Sequence, residues 1–135
     1  MELHVTEIAH PHPNGTSRVV DSITTTNPEK ARRIRIAHIQ QGREATTRTL
    51  SVKPEQILIQ GHIIHQEKEW HFGWQSLEEA KTTIQHLGEK LVAHLEEYKK
   101  PSMGCGKIGD VWYRFHSRPA QKILEKLAEL ATPEM

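Results

Sequence analysis

The chain has a single cysteine, Cys105, among 135 residues. One thiol excludes an internal disulfide framework and any multi-cysteine zinc site. No apolar run approaches the ~18 residues that a membrane span requires, so no membrane partner is expected. Met1 to Pro13 carries acids and histidines in place of a basic start and an apolar run, which argues against a signal peptide. A soluble, cytoplasmic protein is expected. Net charge is nearly absent too, with 18 Lys and Arg against 17 Asp and Glu. Disorder would need a larger net charge and fewer aliphatics than a hydrophobic content of 36% supplies. The length suits one domain spanning 1–135. A chain of this size buries roughly two-thirds of its unfolded surface, so it needs no metal or disulfide to fold.

What the sequence does have is charge sorted into blocks. Residues 17–54 carry +5, residues 55–98 carry −5 and residues 99–122 carry +5, with −2 at each end. A partner meets such a local field, not the total. There are also ten histidines. With ordinary pKa values about half of them are protonated near pH 6.5, so anion binding should strengthen on mild acidification.

Hydrophobic periodicity gives a coarse fold. Leu3–Ala9 is β-compatible, Asn14-Gly15 is a turn signal, and 18–26 is rich in Val, Ile and Thr. Residues 28–41 are ambiguous: Asn27, Pro28 and Gly42 suit the ends of a helix. Ile34, Ile36 and Ile39 scatter on a helical wheel, however, and a strand with Ile34, Ile36 and His38 on one face is favoured. A Thr-rich strand over 45–52 and a hairpin over 57–74 follow. Ser76-Leu-Glu-Glu79 is a capping box. Leu77, Ala80, Ile84, Leu87, Leu91, Leu95 and Tyr98 then form one helical stripe that Pro101 ends. Gly88 weakens this helix without breaking the pattern. Pro101–Asp110 reads as a Gly-rich mobile connector. Residues 111–116 read as a strand, and Ser117 and Pro119 open a last helix using Ile123, Leu124, Leu127 and Leu130. The expected fold is α+β: an antiparallel meander of about five to six strands, covered by a long amphipathic helix, then one strand and a C-terminal helix.

Several motifs fail their context. Gly104-Cys-Gly-Lys-Ile-Gly109 fits G-x-G-x-x-G, but a helix precedes it and a strand follows, the reverse of a dinucleotide fingerprint. A kinase would need motifs for which too little chain remains, and Ile108 after Lys107 excludes a Walker A loop. His4-Val-Thr6 is half of a paired H-x-T motif, and His116-Ser-Arg118 does not supply the other half. No nucleophile–base–acid set is assembled, so enzymatic activity is not expected.

Two surfaces remain. In the hairpin around Glu67-Lys68, a two-residue loop sets His62 diagonally beside His71, and a three-residue loop sets His65 opposite His71. His62, His65 and His71 are therefore candidate zinc ligands, with Glu69, His10 or His12 as a further donor the spacing leaves open. Apart from such a zinc ion, no cofactor is expected. On the strand 111–117, Val111, Tyr113 and Phe115 share a core face. Trp112, Arg114 and His116 share the other, where bases could stack and phosphates pair. Lys99, Lys100, Lys107 and Arg118 lie nearby in sequence. Arg32, Arg33, Arg35, Arg43 and Arg48 make the second basic block, useful if both blocks meet on one sheet face. The leading expectation is a small accessory protein binding single-stranded DNA or RNA. One alternative is a protein–protein or adaptor module that pairs its basic and acidic surfaces in a homodimer or other homo-oligomer. Another is a histidine-based metal-binding protein or metal-dependent enzyme.

Overall fold

The computed structural model describes residues 1–11 and 18–131. The expected Asn14-Gly15 turn and His12 lie outside them. The elements run β1 (Glu2–Pro11), β2 (Arg18–Thr25), α1 (Pro28–Gln40), β3 (Glu44–Ser51), β4 (Ile57–His65), β5 (Lys68–Ser76), α2 (Leu77–Ile84), α3 (Glu89–Leu95), β6 (Ser102–Ile108), β7 (Val111–Pro119) and α4 (Ala120–Ala131). The fold is α+β. Its strands form two antiparallel sheets, a three-stranded one ordered β2-β1-β3 and a four-stranded one ordered β5-β4-β7-β6. A single meander is thus replaced by two sheets, and β7 enters between β4 and β6.

Pro28–Gln40 is a helix, not the favoured strand. The ends decide it. Glu29 and Lys30 N–H groups donate to Asn27 Oδ1 at 2.9 and 3.3 Å, Pro28 occupies the first turn, and Gly42 follows at φ +82°. The isoleucines scatter because α1 lies shallowly on its sheet. Ala31 is its buried residue, and Ile36 and Ile39 stay exposed.

The expected long helix is broken. Its start is right: Glu79 N–H donates to Ser76 Oγ. Gly88 at φ +125° then separates α2 and the 3-10 turn Gln85–Leu87 from α3. The apolar stripe survives, because Ala80, Ile84, Leu91, Leu95 and Tyr98 still bury together. They cover one face of the four-stranded sheet with Ile59, Ile63, Phe72 and Phe115.

The Gly-rich connector is strand β6. Its glycines are seats for tyrosines: a Cβ on Gly104 would stand 2.5 Å from Tyr98 Oη, and one on Gly106 2.8 Å from Tyr113 Oη. Side-chain packing, not phosphate binding, explains them.

The two sheets meet where β5 crosses β1 and β2. A Cβ on Gly73 would lie 2.3 Å from Val5 Cγ1, so glycine permits the approach. On this side of β1, Leu3 and Val5 pack with Leu58, Trp74, Ala120 and Ile123, and α4 closes one end. Alternation sends His4, Thr6 and Ile8 to the opposite side, beneath α1.

Candidate functional site

The four-stranded sheet has one face under α2 and α3. Its other face is covered by α4 and the first sheet at one end and open at the other. Along β7, Val111 and Phe115 are buried in the helix-covered core and Tyr113 packs against it. Trp112, Arg114 and His116 point the other way, as alternation requires. Trp112 is 55% exposed.

Cross-strand register assembles three rows on this open face. Ile64, Trp112 and Lys107 stand side by side; so do His62, Arg114 and Cys105, and then Gln60, His116 and Met103. The Lys107 ammonium lies 5.0 Å from the Trp112 ring centroid, a cation–π contact. A cavity of about 220 Å³ opens between the sheets, with Ser22, Gln60, His62, His71, Arg114 and His116 in its wall. His116 packs its ring 5.5 Å from Trp74. Burial, then the charges of Arg118 and Lys126, holds its pKa below the usual histidine value, so it is largely neutral at pH 7.

The hairpin register differs from both sequence alternatives. Its loop is Gln66-Glu67, one residue earlier, with His65 opposite Lys68. Both loop residues have positive φ, 51° and 65°, the type I′ geometry that matches strand twist. Neither is Gly or Asn, so no turn signal marked them. The shift sets His62 directly opposite His71, with rings stacked at 3.9 Å. Glu69 lies on the same face. Its Oε2 is 3.4 Å from His62 Nε2 and 3.8 Å from His71 Nε2. Both Nε2 atoms are buried without a hydrogen-bond partner. Burial, then His62, pushes the His71 pKa down, with Asp21 and Glu69 opposing. His65 does not join this group: it pairs with Asp110 at 3.2 Å.

The basic residues separate. Lys107, Trp112, Arg114 and His116 share the open face, and Arg118 continues it toward α4. Lys100 is brought to this end because Ser117 Oγ donates to its carbonyl at 2.7 Å; Lys99 precedes it, exposed. The second block lies elsewhere. Arg32, Arg33 and Arg35 ride on α1, on the far side of the first sheet. Arg43 is held by His38 and Gln41. Arg48 faces α2 and pairs with Glu79. The condition that both basic blocks meet on one sheet face is therefore not met, because the sheet that carries the second block turns α1 away from β7. Gln60 shares strand parity with His62 and was readable from the sequence; Ser22 reaches the cavity only through sheet packing.

No family model, curated protein or solved structure matches this chain.

Proposed function

We propose that the protein is a small accessory factor that binds single-stranded nucleic acid on the open face of the four-stranded sheet. The observation that supports this is Trp112, 55% exposed on a helix-free strand face, with Lys107 over its ring and Arg114 in the next row. An exposed indole on a flat sheet is a stacking platform for a base. A base that stacks on the ring takes the place of the Lys107 ammonium, which then pairs with a flanking phosphate, and Arg114, Lys99, Lys100 and Arg118 offer further positive charge. Cross-strand rows of this kind present several bases with a continuous surface and do not read their edges, so the binding is weakly sequence-dependent.

Fluorescence anisotropy with single-stranded DNA and RNA oligonucleotides at two salt concentrations tests the reading. Affinity should fall steeply with salt. Trp112→Ala should cost roughly 1–3 kcal/mol of binding. Arg33→Ala, on the far side of the first sheet, should leave affinity within about twofold, a shift of only a few tenths of a kcal/mol. Absence of binding at low salt, or equal losses in the Trp112 and Arg33 variants, overturns it.

A further inference from the structure

We infer that His62, Glu69 and His71 form a binding site for one divalent transition-metal ion of the zinc type, with its open coordination position facing the cavity between the sheets. The site adjoins the Trp112 row on the same sheet face, with His62 and Arg114 in the next row, but zinc binding is measured without nucleic acid and does not rest on that reading.

Geometry carries this. Two imidazole nitrogens and one carboxylate oxygen lie within 4.8 Å of one another. Zinc bonds of ~2.0–2.1 Å in a tetrahedron put neighbouring donors ~3.3 Å apart. The two donor separations to Glu69 are 3.4 and 3.8 Å, and the two imidazole nitrogens lie within 4.8 Å. The rings, stacked 19° from parallel, rotate about their side-chain bonds to turn both lone pairs onto one ion. Neither Nε2 atom makes a well-formed hydrogen bond, although both are buried and Glu69 Oε2 stands within ion-pair reach of each. Buried polar atoms in native proteins ordinarily have partners, and a cation supplies one for all three donors together.

The local fold gives the donors a firm mounting. His62 and His71 are a directly opposed strand pair, and Glu69 is two residues from His71 on the same face. The type I′ loop holds this register. All three side chains are about a quarter exposed, so an ion can enter and still be partly shielded. Two nitrogens and one oxygen suit zinc and its first-row neighbours and do not suit magnesium or calcium, which take oxygen sets. Three protein ligands leave a fourth position, as zinc sites with exchangeable ligands do. That position opens on the cavity wall where Arg114 stands beside His62. The guanidinium disfavours a bare cation and favours an anion or hydroxide as the fourth ligand. Asp21 near His71 adds compensating negative charge.

The test uses the full chain without a histidine tag. Isothermal titration with zinc chloride should give one strong site per chain. Glu69→Gln and His71→Ala should each weaken zinc binding at least tenfold, the loss expected for removing one of three ligands. His65→Ala should change it less than twofold, because His65 belongs to the Asp110 pair. Imidazole NMR signals of the unaltered protein provide a readout that survives a misfolded variant: one equivalent of zinc should move the His62 and His71 resonances and leave His4 in place. Magnesium at the same concentration should move none of them. No stoichiometric zinc binding, binding that leaves the His62 and His71 signals unmoved, or equal losses in the His65 and His71 variants would overturn the assignment.

Discussion

Two histidines of this protein occupy matching positions in the two sheets and have opposite fates. His4 on β1 stands opposite Thr49 on β3, and the two share a hydrogen bond of 3.0 Å. The next pair on the same face, Thr6 and Thr47, shares another of 2.9 Å. On β1 this layer lies beneath α1, with His4 8% exposed and Thr6 fully buried, while Thr47 is half-buried and Thr49 exposed; the groups satisfy one another. His62 on β4 stands opposite His71 on β5, yet neither Nε2 atom makes a hydrogen bond, and Glu69 Oε2 lies 3.4 and 3.8 Å away. Polar side chains under a helix are structural when their network closes within the chain. Polar side chains beside an open cavity that stay unsatisfied mark where something else binds.

The widest gap between the two pairs should appear in thermal or chemical denaturation with and without zinc. A ligand that binds only the native state at a thousandfold excess over Kd stabilises by about 4 kcal/mol. The unaltered protein should gain a stabilisation of this order. His71→Ala should lose most of it, and Thr49→Val, which breaks the His4 pair, should keep it. Equal zinc responses in the two variants would erase the contrast.

The next effect lies on the first sheet. Thr6→Val removes the partner of the half-buried Thr47 Oγ1 and should cost about 1 kcal/mol. Changing Thr6 and Thr47 to Val together removes both ends of the bond and should recover much of that loss. Urea denaturation of the two single variants and the double variant measures the coupling. On the second sheet, without metal, Glu69→Gln should shift stability by less than about 1 kcal/mol, because no closed hydrogen bond is lost. A large cost there would mean that Glu69 serves the fold itself.

Turn chemistry separates the two regions on a smaller scale. The hairpin carrying His62 and His71 turns through Gln66 and Glu67, both at positive φ. Glu67→Gly should stabilise by about 1 kcal/mol, since glycine adopts this conformation without the Cβ penalty. Imidazole NMR signals of His62 and His71 should stay unchanged if the type I′ register is kept.

The same residues explain what the sequence made legible. Parity along β7 put Trp112, Arg114 and His116 on one face because a strand alternates regardless of its neighbours. Ser76 and Glu79 announced α2 because capping is local. The start of α1 was equally local in Asn27 and Pro28, but its isoleucines obscured it, since the helix buries little and leaves Ile36 and Ile39 exposed. The glycines of β6 resembled a phosphate loop because their partners, Tyr98 and Tyr113, are placed by packing and not by spacing. The His62–His71 pairing needed the loop position to one residue, and a turn without glycine or asparagine withheld it. The separation of the basic blocks depended on which face of the first sheet α1 covers, and nothing within either block encodes that.

The smallest effect concerns Glu7, which shares β1 with His4 and Thr6 but faces the other sheet. Burial is the largest influence on its carboxyl and raises the pKa above 4.5; the Arg48 charge and a hydrogen bond from the Gly73 N–H oppose the rise. The native state therefore holds this proton to a higher pH than the unfolded chain does. In the window just above pH 4.5 the native state binds more protons, so the contribution of Glu7 to stability falls as pH rises through its native pKa. Glu7→Gln removes that dependence. Denaturation midpoints at pH 4.5 and pH 6.5 should show the stability difference between the variant and the unaltered protein moving in the variant's favour at the higher pH. The magnitude is small because Arg48 already offsets part of the burial. A difference that moves the other way would mean that Glu7 is stabilised as a carboxylate by Arg48, and would place it with the satisfied pairs of the first sheet.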